Sequence, residues 1–66
     1  MTKIRELREA KGITVISLAF STKVHPTQLS SIERGKLAAS TRAREALSSF
    51  FNVATNQLFD ENQIAI

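Results

Sequence analysis

The hydrophobic residues of this chain recur at intervals of three and four, the spacing of residues on one face of a helix. The clearest case is the stripe formed by Ala43, Ala46, Leu47 and Phe50. Alternating strand patterns and hairpin dipeptides are absent. The pattern predicts five short helices, over about 2–11, 14–21, 25–34, 40 or 41–51, and 55–59. We therefore predict an all-α fold, a compact bundle of five short helices around one core.

The residues at the ends of these segments are of the types that begin and end helices. Thr14 can cap the free amides of the second helix, and Pro26 fits the first position of the third. Gly12 and Gly35 stand where a left-handed residue often closes a helix, and Asn52 can adopt the same conformation. The tail, residues 60–66 with the sequence DENQIAI, has no strong local preference.

The size and composition of the chain argue against several classes of protein. Its 66 residues make a single domain, and the absence of cysteine excludes disulfides and thiolate metal sites. One His among scattered carboxylates predicts no metal site, and nothing in the sequence indicates a catalytic pair, a cofactor or a small-molecule ligand. No apolar run is long enough to span a membrane, and the charged N-terminus lacks a signal-peptide pattern, so we expect a cytoplasmic protein.

The charge balance suggests a polyanionic partner. Nine Lys and Arg residues stand against six Asp and Glu, which gives a formal net charge of +3. Two of the acidic residues, Asp60 and Glu61, lie in the tail, so the rest of the chain is more basic than the whole. Such a charge fits nucleic acid, although many small basic proteins bind nothing in particular.

The third predicted helix has an unusual outer face. If Leu29 and Ile32 point to the core, a rotation of 100° per residue leaves a polar ridge on the opposite side. That ridge consists of Thr27, Ser30, Ser31 and Arg34, with Gln28 beside it. Short hydroxyl and amide side chains allow a helix to enter the DNA major groove closely and to bind base edges. The alternative is a merely solvated helix face, but such faces are usually rich in Glu and Lys.

The order of these segments resembles that of a known family. The segments are IRELREAKGIT, then VHPTQLSSIERGK, then STRAREALSSFFNV. Together they resemble the Cro/repressor-type helix-turn-helix domains of phages and bacteria, over about residues 3–59. The resemblance implies a lambda-repressor-like bundle in which the second and third helices form the helix-turn-helix, at about residues 14–35. The third helix would be the recognition helix.

The resemblance also implies roles for individual side chains. Thr27 and Ser31 match base-contacting positions, Gln28 could share that role, and Pro26 could offer apolar contact, for example to a thymine methyl. The base contacts are thus predicted at Pro26, Thr27, Gln28 and Ser31. The phosphate contacts are predicted at Val15, Lys23, Ser30, Arg34 and Lys36. Arg8 and Glu33 match a pair that in this family often bridges the first and third helices.

The sequence departs from the family pattern at three positions. Val15 replaces a common Gln, so that only its backbone N–H could hold a phosphate. Lys23 replaces a common Gly in the turn, where a positive φ would cost roughly 1 kcal/mol relative to Gly. Lys23 could instead contact a phosphate beside the turn. Thr22 replaces a usually apolar residue and thins the core.

Several residues are open to two interpretations. His25 either closes the start of the third helix or contacts DNA. Arg42 and Arg44 either reach phosphates or lie on a solvated helix face. Phe20 is expected to be only half covered. Three further aromatic residues, Phe50, Phe51 and Phe59, are expected in the core because of their helical spacing.

We therefore predict a sequence-specific regulator of transcription, a repressor of phage or bacterial type, that binds double-stranded DNA as a homodimer. One short recognition helix reads few base pairs, so two-fold symmetry would place two half-sites about 10 bp apart in a palindromic operator. The dimer interface is predicted at Leu58, Phe59, Ile64 and Ile66, although the two isoleucines could instead be frayed. The alternative is a protein-interaction module that kept the fold but lost specific DNA binding.

Overall fold

The computed structural model describes all 66 residues and confirms the all-α fold. The chain forms five helices, which we number in order: α1 (Lys3–Ala10), α2 (Val15–Thr22), α3 (Pro26–Glu33), α4 (Thr41–Phe51) and α5 (Thr55–Leu58). The predicted boundaries differ from these by at most one residue, chiefly because capping residues such as Thr2 lie just outside the helices that they cap.

Side chains close the N-termini of four helices. The hydroxyl oxygens of Thr2, Thr14 and Ser40 each accept a hydrogen bond from the backbone N–H three residues later. His25 serves the same purpose for α3, because its Nδ1 accepts from the backbone N–H of Thr27 at 3.2 Å. Each of these bonds satisfies an amide that has no partner within the helix.

Three helices end in the same hydrogen-bonded motif. Gly12, Gly35 and Asn52 follow α1, α3 and α4 with φ values of 68°, 73° and 57°. At each end the two residues at the turn donate back to the last turn of the helix; after α3, Gly35 N–H donates to Ile32 and Lys36 N–H donates to Ser31. This pairing is the Schellman motif, and it explains why these residue types stand at these positions.

The core lies where the five helices meet. Its fully buried side chains are Ile4, Leu18, Leu29, Leu47 and Leu58. Phe51 and Phe59 are buried as predicted, and Phe50 is half-buried with its ring packed edge-to-face on Phe51 at 5.0 Å between centroids. Thr22 occupies a core position, and its hydroxyl donates to the Leu18 carbonyl at 2.8 Å, so no buried polar side-chain atom lacks a partner.

The tail is part of the fold, which its sequence alone did not indicate. Asp60 Oδ1 accepts from the backbone N–H groups of Asn62 and Ile64, at 2.8 and 3.0 Å, and so turns the chain back. Ala65 then pairs with Phe59 in an antiparallel bridge. Backbone bonds from Lys3 to Ile66 and from Ala39 to Gln63 connect the tail to α1 and to the segment before α4.

Candidate nucleic-acid interface

The helices α2 and α3 are joined by a tight turn of three residues, Lys23, Val24 and His25. Lys23 adopts the left-handed conformation, with φ 60° and ψ 30°. A side chain in this conformation costs about 1–2 kcal/mol, which a glycine would avoid. Val24 is buried and anchors the turn to the core. The turn therefore fixes the direction in which α3 leaves α2.

The structure divides α3 into two faces. Leu29, Ile32 and the side chain of Glu33 are buried. Thr27 and Gln28 are exposed near the start of the helix. Three other residues of the predicted interface, Pro26, Ser30 and Ser31, are half-buried and form the flanks. The solvent-facing surface of α3 is thus made of short polar side chains and contains no acidic residue.

The C-terminal end of α3 carries the cations expected there. Arg34 is exposed, and its Nε donates to the Ser30 carbonyl at 3.3 Å, which leaves the rest of the guanidinium in solvent. Lys36 is also exposed and follows the turn at Gly35. Neither cation is in an ion pair. Both remain free for an external anion.

At the start of α2, the free hydrogen-bond donors are backbone N–H groups rather than a side chain. Thr14 caps the helix by accepting from the Ser17 amide at 3.1 Å. The amides of Val15 and Ile16, in the first turn, make no backbone hydrogen bond. The Val15 side chain is half-buried against the core. An anion at this position would therefore meet N–H groups and the positive end of the helix dipole.

The structure brings Arg8 and Glu33 together in a nearly buried ion pair. Arg8 Nη2 and Nε lie 2.9 and 3.0 Å from Glu33 Oε1 and Oε2, and Arg8 Nη1 donates to the Ile13 carbonyl at 2.8 Å. The hydrogen bonds to Glu33 raise the pKa of Arg8 above its ordinary value, against the opposing effect of burial. Thr2 Oγ1 also donates to the backbone carbonyl of Glu33. These bonds fasten the end of α3 to α1 and to the loop before α2.

The two arginines of α4 have different surroundings. Arg44 donates from Nη1 to the Ala39 carbonyl and from Nη2 to Thr41 Oγ1. Arg42 is exposed and makes no side-chain hydrogen bond or ion pair within the chain. Arg44 therefore braces the segment before α4, whereas Arg42 is available to a ligand.

The residues predicted for a dimer interface are divided between core and surface. Leu58 and Phe59 are buried in the core of the monomer itself, with exposures of 0% and 3%. Ile64 is half-buried, and Ile66 is 52% exposed at the rim of a hollow that Thr55 and several tail residues line. The surface that a second copy could contact here is therefore formed by the tail, with Leu58 and Phe59 supporting it from within.

The exposure predicted for Phe20 is wrong. Phe20 was expected to be half covered, but it is 83% exposed. Leu18, Ala19 and Thr22 occupy the buried face of α2, so Phe20 points to solvent. Ile16, one turn earlier, is also exposed, at 56%. The sequence placed Leu18 and Ala19 on the buried face of α2 and so set Phe20 apart from the core aromatics, but how far Phe20 is covered depends on how α2 is rotated against α3 and α4.

No three His, Cys, Asp or Glu side chains are grouped so that they could hold a metal ion. None of the helices has the length and apolar character needed to cross a membrane.

The comparisons with known proteins gave one match. The model of a family described as helix-turn-helix matches residues 4–58. This range contains all five helices apart from the first residue of α1. Neither the curated proteins nor the solved structures gave a significant match.

Proposed function

Since the chain belongs to the Cro/repressor-type helix-turn-helix family, we propose that it recognises one DNA sequence as a homodimer and represses transcription there. The family match supports the coarser statement that the chain is a transcription regulator that binds double-stranded DNA. The proposal adds a palindromic operator, repression, a cytoplasmic location and the absence of enzymatic activity. It also assigns α3 as the recognition helix.

The observation that carries this proposal is the exposed face of α3. Thr27 and Gln28 are exposed there, Ser31 is half-buried beside them, and no acidic side chain is present to repel DNA. Hydroxyl groups can donate to or accept from base edges, and an amide can form two hydrogen bonds with adenine. Pro26, at the first turn, could contact only an apolar group such as a thymine methyl.

The phosphate contacts would flank this face. Arg34 and Lys36 follow α3 without ion-pair partners, and the free amides of the first turn of α2 include that of Val15. Lys23 lies at the turn, and Ser30 lies on the flank of α3. Contacts of this kind position the helix without reading the sequence.

A homodimer would supply the specificity that one helix of eight residues lacks. The exposed apolar side chain of Ile66, with Ile64 beside it, is the surface that we propose for the contact between two copies. Two-fold symmetry would place the two recognition helices one turn of DNA, about 10 bp, apart. Repression then requires only that the bound dimer obstructs polymerase.

Selection from a pool of randomised duplex DNA at near-physiological salt tests this function. We expect an enriched palindrome whose half-sites are centred about one turn, roughly 10 bp, apart. Retention of DNA without enrichment would leave only charge-driven binding and would refute sequence-specific recognition. Enrichment of a single half-site would refute the dimer while leaving specific recognition intact.

The exposed pair Phe20 and Ile16 favours a second candidate, a protein-interaction module. The two side chains are four residues apart on α2 and form one apolar strip. A complex formed through this strip would persist at high salt, whereas DNA complexes weaken steeply as salt is raised. If no DNA is retained in the selection and a partner complex survives high salt, this second function would replace the first.

A further inference from the structure

Three donor side chains from three parts of the chain line one cleft at the N-terminal end of α3. Lys23 comes from the turn, His25 caps α3, and Arg42 comes from the first turn of α4. The cleft has a volume of about 130 Å³, and Gln28 and Ser40 also line it. No carboxylate lines it. We call it the cationic cleft.

We propose that the cationic cleft binds a DNA backbone phosphate, with Lys23, His25 and Arg42 as its donors. This proposal rests on the proposed function, because it assumes that α3 lies in the DNA groove. It goes beyond that function by assigning Arg42 and His25 to the interface and by placing one phosphate between α3 and α4.

Each of the three donors is available to an external anion. Lys23 and Arg42 take part in neither ion pair of the chain, and both are exposed. His25 uses Nδ1 to accept from the Thr27 amide. This bond assigns the ring proton of the neutral imidazole to Nε2, which can donate to a phosphate oxygen while Nδ1 continues to cap α3.

The positive side chains lie at both ends of the exposed face of α3. The cationic cleft lies at one end of α3, and Arg34 and Lys36 lie at the other. Positive charge thus flanks the face of α3 that we propose for base reading, where phosphate contacts would position the helix.

The backbone of Lys23 supports a functional role for this residue. Its left-handed conformation, with φ 60°, is one that glycine adopts without strain. Residues in strained conformations cluster at functional sites, and the exposed ammonium of Lys23, which lines the same cleft as Arg42, can bind a phosphate there.

The test compares two arginines on one helix. Arg42→Gln and Arg44→Gln make the same change of charge two residues apart, but Arg44 is turned about 200° away around α4 and bonds to the Ala39 carbonyl. Binding to a mixed-sequence duplex about two helical turns long is measured over a range of salt concentrations, with thermal unfolding of each variant as a check of folding.

For Arg42→Gln we expect the slope of log K against log salt to fall by about 0.9, and affinity at about 0.15 M salt to fall about fivefold. Arg44→Gln should leave the slope unchanged. Lys23→Gly should lower the slope by as much as Arg42→Gln. Because glycine adopts the left-handed conformation freely, this substitution should not disturb the turn. His25→Asn keeps a capping side chain and should weaken binding through loss of the Nε2 donor.

Equal slopes for wild type, Arg42→Gln and Lys23→Gly would overturn the phosphate site while leaving DNA binding through α3 intact. An equal loss of slope in Arg42→Gln and Arg44→Gln would also overturn it, because the effect would then be one of net charge. If the wild type itself does not bind the duplex, the proposed function fails and the cleft proposal fails with it.

Discussion

Breaking the pair between Arg8 and Glu33 from one side should destabilise the domain more than any other single loss of charge. Glu33 is 4% exposed, and Arg8 supplies its side-chain hydrogen bonds. Arg8→Met would leave an unpaired carboxylate in the core, at a cost of about 3–5 kcal/mol. A domain of this length has a total stability of about 3–10 kcal/mol, so the variant would be close to unfolded.

The double variant Arg8→Met/Glu33→Leu separates the buried charge from the other effects of the substitution. It removes both charges and should recover most of the loss, leaving only the missing bond to the Ile13 carbonyl, worth about 1 kcal/mol. The matched control is Arg5→Met, because Arg5 and Glu9 form an exposed pair whose loss should cost less than about 1 kcal/mol.

Urea unfolding followed by circular dichroism measures these differences, since the chain has no Trp or Tyr to serve as a fluorescent probe. We expect a coupling free energy of at least about 2 kcal/mol between Arg8 and Glu33. A loss of stability in Arg8→Met no larger than that in Arg5→Met would contradict a buried, costly carboxylate, as would a double variant as unstable as Arg8→Met.

Three further predictions concern stability away from this pair. Lys23→Gly should raise the melting temperature by about 2–8 °C. Glycine relieves a strain of about 1–2 kcal/mol, which outweighs its entropic cost of about 0.5–1 kcal/mol. An unchanged or lower melting temperature would contradict the strain. Thr14→Ala should lower the melting temperature by about 4–8 °C through loss of the α2 cap, and a smaller change than about 2 °C would count against the cap. Phe20→Ser should change the free energy of unfolding by less than about 0.5 kcal/mol, and a larger loss in urea unfolding would show that Phe20 packs on the core.

The sequence predicted the helix ends best, because they depend on neighbouring residues. Thr14, Gly35 and Asn52 begin or end helices where expected, because capping depends on one side chain and the few residues beside it. The sequence left two interpretations of Lys23 open. Either its backbone is left-handed at a cost in stability, or its side chain contacts a phosphate. The structure shows the conformation, and we propose that both hold.

The sequence was less informative where distant segments meet. The cationic cleft forms only because α4 begins beside the turn, so the spacing of Arg42 from His25 in the chain gave no indication of it. The tail packs close to Gly35. If another residue stood there, its Cβ would lie 3.4 Å from the Ala65 carbonyl oxygen. The turn at Asp60 has a local signal, the Asp-x-Asn order, but its docking depends on the whole fold.

Repeating the DNA selection with Thr27→Ala and Ser31→Ala shows whether the exposed face of α3 reads the base sequence. Each hydroxyl that binds a base edge should contribute about 1 kcal/mol of discrimination, or about fivefold in preference at one position of each half-site. We expect each variant to relax the preference at its own symmetric pair of positions and to preserve the rest of the operator. Unchanged base preferences in both variants would contradict this expectation, because α3 would then not be reading the sequence through these side chains.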